Sequence, residues 1–216
     1  MMCRTFSVLF AVVCLVAIPA AAQKVEKGAP APDSVPAALK AAIESQGLRV
    51  LNEAGAAYVE IWLRKGLPAE AKEASGDIAY PGMPVGSFLG VWRYVIPGTD
   101  FRGQAMKPGV YSMRHALMPS DGNHMGASPF RDFVLLAPVD ADKDPAADLK
   151  YDDAVALSRK ATGTNHPAVY PMLAPESVSE AVVSKDEQGH GVLKVKVQGK
   201  SGTAIPLAFI VIGRGE

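Results

Sequence analysis

The sequence predicts a mainly β protein: an antiparallel β-sandwich, jelly-roll-like in outline, with small helical insertions. Three observations carry this. Gly 20 and Pro 17 in 216 residues cut the chain into short runs rich in β-branched and aromatic residues, the composition of turns joining strands. Residues 58–64 alternate with a period of two, the signature of a strand with two distinct faces. The chain then ends in three apolar runs joined by short glycine-containing turns at 185–191 and 198–202, as in an antiparallel meander.

The elements follow in chain order. Arg4, the apolar run 8–18 and the small residues Pro19-Ala20-Ala21-Ala22 read as a signal peptide, residues 1–22, cut after Ala22. The run is shorter than the about 20 residues that a membrane span needs. No membrane insertion is therefore expected after cleavage, and the protein is expected to be exported, periplasmic or extracellular. Both cysteines, Cys3 and Cys14, lie in this leader, so the processed chain holds no thiol for a disulfide, a metal or a nucleophile. Val13 is not the small residue expected directly before a lipidated cysteine, which argues against an anchor on Cys14.

Residues 23–33 mix Lys, Glu, Gly, Ala and Pro and are expected to form a flexible lead-in. Residues 34–216 are expected to form a single β-rich domain. It opens on a short helix capped by Asp33 or Ser34, with Pro36 in its first turn, and with Leu39 and Ile43 on one face. Strands are predicted at 58–64, 88–95, 110–117 and 133–139. In the first, Val59, Ile61 and Leu63 face one way, and Tyr58, Glu60 and Trp62 the other. In the second, Phe88, Trp92 and Tyr94 share a face. Residues 133–139 are nearly all apolar, as expected of a central strand covered on both sides. Asp152-Asp153 start a second helix, and Gly163 stops it. The last three strands fall at 178–184, 192–197 and 204–212.

Charge excludes two classes of partner. The 22 basic and 22 acidic residues leave no basic stripe for nucleic acid and no polybasic patch for anionic lipid.

The densest polar cluster is 113–126, which holds Met113, His115, Asp121, His124 and Met125. Imidazole with thioether suits copper, and imidazole with carboxylate suits zinc or iron. The competing reading makes Met113 core filler, His115 a hydrogen-bonded strand residue and Asp121-Gly122-Asn123 turn chemistry. His166 lies in a second loop, Thr164-Asn165-His166-Pro167. If both loops meet at one end of the sandwich, His124, His166 and a carboxylate such as Asp121 or Asp132 could share one metal. Otherwise each histidine closes its own loop, and no cofactor follows. Tyr58 with Trp62, and Trp92 with Tyr94, form aromatic rows. Such rows can stack on sugar rings, or serve as the second half of the core.

Catalytic signatures are scarce. The chain has no Gly-x-Ser-x-Gly elbow, no His-Glu-x-x-His and no phosphate-cradling glycine loop. Asp140, Asp142 and Asp144 read as a solvated loop or a loose cation site, and not as a placed acid and base.

Four segments carry a resemblance: 107–114 (Lys-Pro-Gly-Val-Tyr-Ser-Met-Arg), 121–126 (Asp-Gly-Asn-His-Met-Gly), 131–136 (Arg-Asp-Phe-Val-Leu-Leu) and 163–169 (Gly-Thr-Asn-His-Pro-Ala-Val). Across roughly 92–169 the chain resembles a group of exported bacterial proteins of the acidobacterial type that carry a domain of unknown function. Trp92-Arg93 and Gly109-Val110-Tyr111 are also similar to a larger secreted domain family. The resemblance implies an exported β-rich domain and brings no catalytic residue with it.

The functional expectation is a non-catalytic exported β-sandwich that binds a small ligand, or a partner protein of the envelope, through the loops around His124 and His166. The alternative is a metal-dependent enzyme or copper handler that uses the same histidines.

Overall fold

The computed structural model describes residues 24–122, 126, 128–174 and 177–213. The leader and both cysteines lie outside the described residues, as do His124 and Met125. The chain runs β1 (Lys24–Lys27), α1 (Ala37–Ala42), β2 (Leu48–Leu51), β3 (Ala57–Leu63), β4 (Phe88–Tyr94), β5 (Gly98–Thr99), β6 (Ala105–Met106), β7 (Gly109–Leu117) and β8 (Asp132–Pro138). It continues as α2 (Tyr151–Thr162), β9 (Ala168–Pro171), β10 (Val182–Lys185), β11 (Gly191–Gln198) and β12 (Ala204–Ile212).

Seven strands form one antiparallel sheet in the order β1-β2-β3-β4-β7-β8-β9, and β10-β11-β12 form a second. The predicted mainly β, sandwich-like fold with small helical insertions is what the chain adopts. Strand order follows chain order within each sheet, so the connectivity is that of a meander. Between the sheets lies the main core, where Ile61, Trp92, Met113, Val134 and Tyr170 of the large sheet meet Leu193, Leu207 and Phe209 of the small one. Trp92 packs at 4.9 Å from Tyr170 and 6.4 Å from Phe209 between ring centroids. Its Nε1 has no acceptor there.

The helices cover the outer face of the large sheet. Leu39 and Ile43 pack with Trp62, Phe88 and Val91, while Ala154 and Val155 of α2 pack on Ala116, Phe133 and Leu135. This explains the unbroken apolar run of β8: Val134 and Leu136 enter the inter-sheet core, and Phe133 and Leu135 lie beneath α2.

Several expectations change. The lead-in is not free, because residues 24–27 pair with β2 as an edge strand. Strand β2 supplies that partner and was not foreseen. No side chain caps α1; its cap position is Pro36, and Asp33 instead bonds Lys40 Nζ at 2.9 Å. Helix α2 behaves as predicted, with acidic residues first, basic residues last, and Gly163 in the left-handed conformation (φ 66°) donating to the Arg159 carbonyl.

The aromatic rows are also redrawn. Strand β3 bulges at Tyr58, since Val50 pairs with Val59 while Leu51 pairs with Ala57. Strand β4 bulges at Leu89. An extra residue inverts the parity of everything beyond it. Tyr58 therefore turns into the inter-sheet core while Trp62 faces α1, and Phe88 faces α1 while Trp92 and Tyr94 enter the core. Trp62 and Trp92 are fully buried, Tyr94 is 1% exposed and Tyr58 9%. None of the four forms an open platform for sugar.

Candidate functional site

His115 and Asp132 are brought together, but inside the protein. They stand on neighbouring strands, in the pairs His115–Val134 and Leu117–Asp132. Both side chains are fully buried. His115 Nε2 lies 3.0 Å from Asp132 Oδ1, and its Nδ1 lies 3.2 Å from the Pro84 carbonyl. Asp132 also accepts the backbone N–H groups of Ala79 (2.6 Å) and Tyr80 (3.2 Å). Both ring nitrogens lie within hydrogen-bond distance of an oxygen, so the ring is held from both sides. With every polar atom engaged, the pair has nothing left for a metal or ligand. It fastens the segment 79–84 to the large sheet.

A second buried pair works the same way. Arg114 grips Asp142 through Nε to Oδ2 (2.8 Å) and Nη2 to Oδ1 (2.6 Å) and donates to the Gly86 and Asp144 carbonyls. Ser112 Oγ donates to the same carboxylate at 2.6 Å. Asp142, expected in a solvated loop, is instead a structural anchor.

The loop of His166 borders a cleft. Asp100, 1% exposed, accepts the N–H groups of Arg102 and Gln104 and the Gln104 side-chain amide. That turn holds Phe101 and Arg102 outward. Gln104 also donates to the Pro167 carbonyl (3.0 Å) and accepts from Thr164 Oγ1 (2.8 Å). Thr164 in turn accepts the His166 N–H at 3.0 Å. Arg102 Nη1 sits 3.4 Å from His166 Nδ1. Arginine only donates, so the ring accepts at Nδ1 and carries its proton on Nε2.

Between this loop and the residues Met118, Gly126 and Ser128 opens a cleft of about 670 Å³. Phe133, Val155 and Val169 make its apolar floor. Phe101, Met118, Gly126 and Ser128 form one wall, and Tyr151, Arg159, Asn165 and His166 form the other. His124 and Met125 lie outside the described residues, but their flanks, Met118, Gly126 and Ser128, border the same space as His166. Among the described residues no carboxylate lines the cleft. Asp121 is exposed at its margin, and its charge reaches Tyr151. Burial raises the Tyr151 hydroxyl above its ordinary range, Asp152 and Asp121 raise it further, and Arg159 acts in the opposite sense.

A smaller hollow of about 480 Å³ continues past Phe101, Ser128 and Pro171 to His190 and Asp186. His190 Nδ1 lies 2.8 Å from Asp186 Oδ2, and its ring packs on Phe101 at 5.1 Å. Burial raises Asp186, but the bonds from the His190 ring, the His190 N–H and the Gln188 N–H outweigh it and leave the carboxyl below its usual range. His190 is 6% exposed.

Among the described residues no three His, Cys, Asp or Glu side chains gather to hold a metal ion, and no helix is long and apolar enough to cross a membrane. Arg102, Arg159, Phe101 and Tyr151 are the cleft residues that sequence reasoning missed. They belong to the turn 100–103 and to α2, and nothing in their local pattern announces a shared space. No family model, no curated protein and no solved structure matches this chain.

Proposed function

We propose that the protein is an exported, non-catalytic β-sandwich that binds a small ligand in the cleft between the two histidine loops. The observation that carries this reading is the cleft itself. A pocket of about 670 Å³ with an apolar floor and a few polar groups at its rim has the size and character of sites for small molecules. Its floor belongs to β8, β9 and α2, while its rim combines loops with Tyr151 and Arg159 of α2. Rigid scaffolds commonly present binding residues in this way. Export rests on the leader at residues 1–22, and the non-catalytic reading on the absence from the sequence of an activated nucleophile motif.

The test uses anilinonaphthalene sulfonate, a small probe with apolar rings, and purified protein lacking residues 1–22. A saturable rise in fluorescence at one site per chain is expected. Val169→Trp, which keeps a good strand residue on β9 and projects an indole into the cleft, should lower the probe's affinity about tenfold or more. Absence of a signal from the folded protein, or an unchanged signal in V169W, contradicts the reading.

A further inference from the structure

The geometry points to an anionic amphiphile as the occupant of this cleft, with its oxyanion held by Arg102 and Arg159 and its apolar body on the floor. The inference rests on the ligand-binding reading above and adds the ligand's charge and shape. Three independent features support it.

The first is uncompensated charge. Arg102 and Arg159 both line the cleft, and among the described residues no carboxylate does. Among the described residues neither guanidinium is ion-paired, although Arg49, Arg93, Arg114 and Arg131 all are. Two planar donors in one cleft lining suit a carboxylate or phosphate, because guanidinium geometry matches such groups and strengthens the hydrogen bonds.

The second is the state of His166. With Nδ1 facing Arg102 Nη1, which can only donate, its Nε2–H is a further donor. The lining thus offers an oxyanion two guanidinium groups and an imidazole N–H, while a cation meets like charge there and finds a carboxylate only at the margin, where Asp121 acts on Tyr151.

The third is the rest of the lining. Met118, Phe133, Val155 and Val169 offer apolar surface without hydrogen-bonding side chains. At the junction with the neighbouring hollow, Ser128 Oγ is buried with no partner. A buried hydroxyl without a partner is uncommon and costly in a finished structure. A polar group on the ligand would satisfy it. A head-to-tail gradient, cationic at Arg102 and Arg159 and apolar toward Phe133, describes a fatty-acid-like molecule better than a sugar or a metal.

Displacement of anilinonaphthalene sulfonate by three ten-carbon compounds tests the assignment: decanoate, decan-1-ol and decyltrimethylammonium, each below its micelle concentration. Decanoate should displace the probe at a concentration about tenfold lower than decanol, the scale of one charge-assisted hydrogen bond, with the ammonium weakest. Added salt should narrow the gap. The double variant Arg102→Gln/Arg159→Gln should erase the preference for decanoate over decanol. Arg159→Lys with Arg102 intact should retain part of it. Both side chains are exposed, so the variants should fold, as circular dichroism would verify. Equal displacement by all three compounds, or a preference for the cation, overturns the anionic assignment while leaving a ligand cleft in place. Failure of the probe and all three compounds to bind overturns the cleft reading as well.

Discussion

At the scale of single residues, the buried ionisable pairs do structural work. Removing one partner from a buried hydrogen-bonded cluster leaves polar groups unsatisfied, at a cost of about 1–3 kcal/mol. Asp132→Ala should therefore lose about that much in urea unfolding, since it strands His115 and frees the N–H groups of Ala79 and Tyr80. A loss below about 1 kcal/mol would show that the pair is not the anchor described. Asp186 contributes differently. Its carboxyl lies below its ordinary value of 3.8 in the folded state, so the charged form stabilises the fold. That contribution is fully present above the unfolded value and disappears as pH falls through the lower folded value. The melting temperature of the native chain should exceed that of Asp186→Asn at pH 5, and the difference should shrink below about pH 3.8. A difference that is constant or growing toward acid would contradict the pairing with His190.

Elements were legible where local chemistry alone decides them. Helix α2 has acidic residues first, basic residues last and Gly163 as its stop, and all of these act within a turn of the helix end. Strand β8 could be read because seven consecutive residues, nearly all apolar, can be buried only between two layers. The bulges at Tyr58 and Leu89 could not, because the extra residue in each is chemically an ordinary strand residue and only the partner strand shows it to be unpaired. Both aromatic rows were misplaced for this reason. Strands β1, β2 and β9, of four residues each, are too short for periodicity to register. The bulge in β4 is also testable. Gly90 adopts φ +153°, and a Cβ there would overlap the Trp62 carbonyl. Gly90→Ala should cost about 2 kcal/mol or more in urea unfolding. A neutral effect would mean that β4 does not approach β3 as described.

At the scale of the whole molecule, sequence reasoning singled out His124 and His166; His166 lines the cleft, His124 lies outside the described residues, and the residues that share the cleft with His166 were not foreseen. Residues 102 and 159 are remote in sequence, and only the stacking of α2 on β7, β8 and β9 brings their segments to one cleft. His115 and Asp132, by contrast, lay in the right chemical cluster and proved to be packed inside. A candidate's chemistry can be read from a sequence, but its exposure depends on the whole sheet. The central claim is that this cleft is where the protein binds its ligand. Mapping amide chemical shifts on adding decanoate tests it most directly. The account predicts saturable changes confined to residues around 101–102, 118–128, 151–159 and 165–171. Changes centred instead on the other hollow, lined by Glu70, Tyr80 and Ile205, or spread evenly over the surface, would contradict it.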